Sequence, residues 1–211
     1  MEAKNDHEVQ VKNLYKSYGN HVVFDNLNIN LKKNNITVLL GPSGCGKTTL
    51  LNIISGIEKK YSGEVILKDS SISYIFQEDR LIPNLTVFEN VAFVLKSTMS
   101  KEDTKKITNR YLSLVKLMEY KDMLPEKLSG GMKRRVAIAR AFAYRSRLLL
   151  MDEPFKGLDL KLKNEIMEEF LKIHNKDKRT IVLVTHDIKE AEALGDEIYT
   201  MESSNIKMAL Q

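Results

Sequence analysis

Short runs of apolar and β-branched residues punctuate the first part of the chain: "EVQVKNLYKSY" at 8–18, "VVFDNLNINLKK" at 22–33, "ITVLL" at 36–40, "GEVILK" at 63–68 and "SISYIFQ" at 71–77. The first two partly alternate apolar with polar, as strands do when one face meets a core. From Leu85 to Arg145 the spacing changes. Ile107, Tyr111, Leu114, Val115 and Met118 recur three, four or one positions apart, so "KEDTKKITNRYLSLVKLMEY" presents one apolar helical face. Further on, "RLLLMDE" and "TIVLVTH" have no polar alternation, which predicts strands buried on both faces of a parallel sheet. The amphipathic "LDLKLKNEIMEEFLKIHNK" between them is the expected crossover helix, and "EIYTMESSNIKMAL" closes the chain as a β-like stretch. The prediction is a single α/β domain over 1–211. A mostly parallel core with an antiparallel β subdomain takes 1–84 and 146–211, and a helical subdomain is inserted at 85–145.

Composition narrows the class by exclusion. Hydrophobic residues make up 43% of the chain, ample for a core. The balance of 33 Lys and Arg against 28 Asp and Glu gives +5, spread along the sequence rather than gathered. Nucleic-acid binders cluster their basic residues, so no nucleic-acid partner is expected. No apolar run approaches the roughly 20 residues that cross a bilayer, and the opening "MEAKNDHEVQ" has no secretion-type apolar segment. One cysteine, Cys45, excludes an internal disulfide. The expected setting is the cytoplasm.

Candidate chemistry starts at "GPSGCGKTT", between the apolar run "ITVLL" and the helix-like "LLNIISGI". Gly41, Gly44 and Gly46 let backbone N–H groups turn inward on an anion, with Pro42, Ser43, Cys45 and Thr49 completing the loop. The helix that follows brings its positive end to the same point. Lys47 supplies a charge for β and γ phosphates, and the Thr48 hydroxyl can coordinate Mg²⁺. This is the nucleotide-binding pattern G-x-x-x-x-G-K-[ST], and ATP with Mg²⁺ is the expected pair. Cys45 at the helix start can have an activated thiol; a small residue that merely fits is the plainer reading.

Asp152 and Glu153 end a buried strand, where ligands of open parallel sheets sit. Asp152 is thereby placed to reach Mg²⁺ and Glu153 to polarise an attacking water. His186 ends another such strand and can bond a γ phosphate or the water, whereas His7, His21 and His174 lie in polar segments. Ser129, Gly130 and Gly131 open a further helix and form a second anion-binding device without a lysine; an ordinary serine N-cap is the alternative. Lys133, Arg134 and Arg135 behind them read as exposed or ion-paired.

Together "GPSGCGKTT", Gln77 in "SYIFQED", "LSGGM", "LLLMDEP", "GLD" at 157–159 and His186 occur in the order and spacing of an ATP-binding cassette ATPase, and the resemblance covers nearly the whole chain. It implies a P-loop NTPase (RecA-like) core and a head-to-tail pair of ATPase subunits, expected as a homodimer, in which Ser129, Gly130 and Gly131 of one subunit serve the partner's ATP. It further implies that Tyr18 stacks on adenine and that Gln77 contacts Mg²⁺ and water. Glu153 is then the general base, His186 the γ-phosphate switch and Asp159 a link across the dimer. Met132 departs from the family's usual glutamine. "FQEDRLIPNLTVFENV" and "MDEPFKGLD" resemble the nitrate, sulfonate and taurine importers in particular.

A transporter ATPase requires a separate transmembrane permease. The implied site of action is therefore peripheral, at the cytoplasmic face of the membrane, with an extracytoplasmic substrate-binding protein acting through the permease. Leu81, Ile82, Leu85 and Phe88 are the expected docking groove. An export ATPase, a soluble cassette ATPase acting on nucleic acid or ribosomes, and a P-loop kinase are the rivals. The kinase leaves the LSGG segment and His186 without work, and the transported solute is not encoded in these motifs.

Overall fold

The computed structural model describes residues 6–202 and 205–210. The first five residues of the opening stretch, Ser203 and Ser204 of the closing stretch, and Gln211 lie outside the described residues. In chain order the elements are β1 (His7–Tyr18), β2 (His21–Lys32), β3 (Ile36–Leu40), α1 (Lys47–Ile54), β4 (Ser62–Leu67), β5 (Ile72–Ile75), α2 (Val87–Ala92) and α3 (Lys101–Leu114). They continue with α4 (Gly130–Ala143), β6 (Leu148–Asp152), α5 (Leu160–Asp177), β7 (Thr180–Thr185), α6 (Ile188–Leu194), β8 (Glu197–Glu202) and β9 (Asn205–Leu210). Contacts divide the chain into two compact units.

The first unit runs to residue 74 and includes 147–153 and the chain from 177 onward. Its antiparallel sheet has the order β2-β1-β4, and a second sheet has the order β5-β6-β7-β3-β8-β9. Every residue of β6 and β7 is buried, as their unbroken apolar runs predict. β3 pairs in parallel with both β7 and β8, and β6 pairs in parallel with β7. The antiparallel β9 then closes one edge. Phe24, Leu39, Leu50, Leu51, Leu150 and Val182 belong to one apolar core that holds α1 against the strands. β1 is less regular than its alternation suggests. Its pairing with β2 shifts register several times, and Asn13 and Asn26 take positive φ there, a conformation asparagine tolerates better than most residues.

The second unit comprises 75–146 and 154–176. α2 begins with a reciprocal cap: the Glu89 amide donates to Thr86 Oγ1 at 3.2 Å, and the Thr86 amide donates to Glu89 Oε2 at 2.9 Å. α3 packs against α2 and α4, and its buried residues are Thr104, Thr108, Tyr111 and Leu112, with Ile107 and Leu114 only half-buried. The buried face is thus rotated from the one the apolar spacing predicts. Threonine, whose methyl group packs while its hydroxyl counts as polar, is not marked by apolar spacing. α5, grouped with the α/β core by its place in the sequence, clusters mostly with this unit. Its Phe170 ring stacks 5.5 Å from Phe142 of α4 and meets Phe155 edge-on at 6.4 Å.

Phe170 is 2% exposed. Phe170→Ala removes both ring contacts and leaves a cavity, and the expected loss is about 3–5 kcal/mol. Denaturant unfolding measures it; a loss below about 1 kcal/mol contradicts this packing.

Candidate nucleotide site

β3 delivers the chain into the glycine-rich loop, and two glycines there are sterically required. A Cβ on Gly46, whose φ is 102°, would lie 2.7 Å from Val23 Cγ1 and 3.0 Å from the Phe24 ring, while one on Gly41 would lie 2.4 Å from the Met201 carbonyl oxygen. The loop is therefore wedged between the β1–β2 hairpin and β8. Lys47, the first residue of α1, is 6% exposed. Its ammonium donates to the carbonyls of Gly41 at 2.8 Å and Pro42 at 2.7 Å and lies 3.7 Å from Cys45 Sγ. The charge is desolvated and aimed along the loop. A cavity of about 500 Å³ borders Pro42, Ser43, Gly44 and Cys45 and reaches His21, Val22 and Val23 of the hairpin.

Thr48 follows, and its Oγ1 donates to Asp152 Oδ2 at 2.7 Å. Asp152 ends β6 and is 2% exposed. Among the described residues no three His, Cys, Asp or Glu side chains gather around a metal position. One hydroxyl and one carboxylate fit a hard, oxygen-seeking ion such as Mg²⁺, which takes its other ligands from water and phosphate. Glu153, next in the chain, adopts φ 46°. Such a left-handed conformation costs a non-glycine residue about 1–3 kcal/mol and persists only where the surroundings impose it. The Glu153 amide donates to Val184 O at 2.9 Å, and Glu153 Oε1 lies 3.0 Å from His186 Nδ1. With Nδ1 protonated, the imidazole donates to the carboxylate.

The turn after β7 presents His186 by local bonds. The Asp187 amide donates to Thr185 Oγ1 at 3.1 Å, and that hydroxyl donates to Glu190 Oε2 at 2.6 Å. Asp187 also caps α6. The structure thus brings Lys47, Thr48, Asp152, Glu153 and His186 together at the carboxyl ends of β3, β6 and β7. Tyr18 ends β1 and is 51% exposed.

The remaining sequence candidates lie in the second unit. Ser129 caps α4, its Oγ accepting from the Met132 amide at 3.3 Å. Gly130 has no positive φ, and a Cβ there would meet nothing within 4 Å. No neighbour demands glycine at that position. Asp159 Oδ1 caps α5 by accepting from the Leu162 amide at 3.0 Å. Gln77 is exposed, and its carbonyl accepts from Arg134 at 3.4 Å.

Arg134, expected from sequence to be exposed or ion-paired, is paired but also buried. It is 4% exposed, donates to Pro154 O at 2.8 Å and to Phe76 O, and pairs with Asp79 at 3.4 Å. Burial pushes the Asp79 carboxyl up while Arg134 opposes the shift. Arg140 adds bonds to the carbonyls of Arg80 and Asp79. Apart from Pro154, the carbonyl partners of these arginines lie just beyond β5, which ends at Ile75. A basic residue within a buried helical stretch was the available signal.

Leu81, Ile82, Leu85 and Phe88, the expected docking groove, are all half-buried. Asn90, fully buried, accepts from the Ile82 amide and donates to Ile82, Leu85 and Thr86 carbonyls, folding 82–86 onto itself. A cavity of about 710 Å³ opens beside Phe88, Ala92, Met99 and Thr104, with Lys96 and Lys105 at its border.

A family described as ABC transporter matches residues 24–156. The chain belongs to the ABC transporter family. The ABC chain is 42% identical over 210 residues to "Spermidine/putrescine import ATP-binding protein PotA" of Thermotoga maritima, covering 94% of this chain and 57% of that protein. It is also 42% identical over 210 residues to "Fe(3+) ions import ATP-binding protein FbpC" of Fusobacterium nucleatum, with the same coverage. The chain thus spans somewhat more than half the length of these relatives. The ATP-binding cassette MJ0796, solved as a dimer in a post-hydrolysis state bound to ADP and Pi, superimposes with a TM-score of 0.86 at 33% identity. That match covers 96% of this chain and 99% of the cassette, so this chain has the fold of an ABC ATPase cassette.

Gly46 and Gly130 should respond oppositely to alanine. Gly46→Ala meets Val23 and Phe24 at a positive φ and should lower stability by more than about 1 kcal/mol. Gly130→Ala, in open space inside a helix, should raise it by up to about 1 kcal/mol. Thermal unfolding of both variants checks the pair; stabilisation by Gly46→Ala contradicts the wedged loop.

Proposed function

We propose that this chain is the ATP-hydrolysing subunit of a membrane transporter of the import type, in which ATP binding closes a head-to-tail pair and hydrolysis resets it. The observation that carries the reading is the strand-end cluster, where Thr48 meets Asp152 and Glu153 meets His186 beside the desolvated Lys47. The import names of both relatives support the direction of transport. Among the described residues no helix is long and apolar enough to cross a membrane; in this reading the chain joins permease subunits peripherally, as the import ATP-binding names of the relatives suggest.

In this reading the loop amides from Gly41 to Thr49 and the Lys47 ammonium hold the phosphates, and Thr48 and Asp152 would hold Mg²⁺, which when bound would supply positive charge to neutralise the phosphates. Glu153 accepts a proton from the attacking water as general base, and His186 orients that carboxylate and contacts the γ phosphate. Tyr18 stacks on the base. Ser129, Gly130 and Gly131 close over the partner subunit's triphosphate; an exposed glycine that no neighbour requires leaves room for an anion to approach the backbone. Gln77 joins the metal and water, and Asp159 links the two subunits, both on family resemblance. The cavity beside Phe88 receives a short permease helix. The nitrate, sulfonate and taurine group remains the finer assignment, supported by "FQEDRLIPNLTVFENV" and "MDEPFKGLD".

ATPase assays on the purified chain test the machinery. Lys47→Ala should lose nucleotide binding or turnover, and ordinary turnover overturns the cradle. Glu153→Gln should bind ATP and hydrolyse it at least about a hundredfold more slowly, as expected for loss of a positioned base. Near-normal hydrolysis by that variant means that another group is the base. Phe88→Glu should uncouple transport in membranes while leaving basal ATPase intact; unchanged transport sinks the docking assignment.

A further inference from the structure

Lys16 is a charged residue on β1 that is only 3% exposed, and no step described above uses it. Its ammonium donates to Lys60 O at 2.7 Å, pairs with Glu58 Oε2 at 2.9 Å and lies 4.3 Å from the centre of the Tyr18 ring. Glu58 Oε2 in turn accepts from the Tyr18 hydroxyl at 3.2 Å. Tyr18 is thus held twice, by an ammonium against its ring and by a carboxylate at its phenol. Both contacts come from one ion pair. Because Tyr18 ends a strand beside the exposed β1–β2 turn, the backbone alone leaves its χ angles free to vary.

We propose that Lys16 and Glu58 are positioning residues for nucleotide-base recognition: they fix the Tyr18 ring, and the ammonium withdraws density from one face so that the purine stacks on the other. This rests on the reading of Tyr18 as the base-stacking residue. Glu58 is well suited to the task. The hydrogen bond from Lys16, followed by that from the Lys60 amide, lowers its carboxyl to about 2, so the carboxylate that holds Tyr18 is ionised at neutral pH. The Glu58 backbone is itself anchored, its amide donating to Asn52 O in α1 at 3.0 Å. A line of fixed groups therefore runs from the helix that begins with Lys47 to the aromatic ring.

The ion pair also ties β1 to the segment after α1, and a purely structural tie makes a different prediction. Titration calorimetry of the full chain with Mg²⁺ and either ADP, which has a base, or tripolyphosphate, which has none, separates the two. Lys16→Met and Glu58→Gln should each weaken ADP binding roughly threefold to tenfold and leave tripolyphosphate binding unchanged. Lys16→Arg, which keeps the cation, should restore ADP affinity. In a Tyr18→Ala background, Lys16→Met should cost nothing more, because the ring through which it acts is gone.

Equal losses for both ligands, or losses that add to that of Tyr18→Ala, overturn the proposal and leave Lys16 as a structural tie. Should Lys16→Met fail to fold, Glu58→Gln, with its side chain 19% exposed and its shape kept, carries the same comparison. A wild-type chain that binds neither ligand sinks the nucleotide reading itself, and this inference with it. A wild-type chain that binds both, with losses in Lys47→Ala for both, upholds that reading whatever Lys16 does.

Discussion

Leu40, Asp152 and Thr185 end three neighbouring strands at nearly one level because the strands pair in parallel, with Leu40 beside Thr185 and Asp152 beside Val184. That register is the constraint on which the site depends. A slip of one residue would turn each side chain to the opposite face and separate Thr48, Asp152, Glu153 and His186. The apolar runs that fill β3, β6 and β7 hold the register by burying both faces of the sheet. Charged groups of these strands are admitted only at a carboxyl end, as Asp152 is. Chemistry is confined to the sheet's edge because the interior excludes it.

Strain and desolvation are concentrated at the same edge. Glu153 takes a left-handed backbone, Lys47 is nearly excluded from water, and Gly41 and Gly46 stand where no Cβ fits. Each is unfavourable for folding in isolation. The surrounding core compensates, through Phe24, Leu50, Leu51 and the strands below the loop. The second unit shows the same logic in milder form, with a helix that opens on glycines no neighbour demands and two arginines that bind the carbonyls of 76–80. Such departures from local preference are expected where a surface is shaped for a ligand rather than for stability.

Much of this was legible in the residues themselves. The unbroken runs "LLLMD" and "TIVLVT" have no other comfortable place than a two-sided parallel sheet, and a glycine-rich turn ending in Gly-Lys-Thr admits few uses. The motifs behind them identified the ATPase cassette. What was hidden depends on distance in sequence. Lys16 and Glu58 are separated by 42 positions and Arg134 reaches carbonyls at 76 and 154, contacts that no local periodicity encodes. The threonine face of α3 was missed because apolar spacing counts threonine as polar, whereas Thr104 and Thr108 are buried. The turn at 82–86 was equally hidden, because Asn90 satisfies its backbone from within.

The central claim is that fixed strand-end groups grip a Mg²⁺-bound triphosphate whose cage is completed by a second copy's glycine-led helix. A crystal structure of Glu153→Gln grown with Mg²⁺ and ATP tests it most directly. The account predicts a metal between Thr48 and Asp152, the γ phosphate within reach of His186, and Ser129 of a second molecule facing that phosphate. A triphosphate lying away from Thr48 and Asp152, or a cage with no second copy over it, contradicts it.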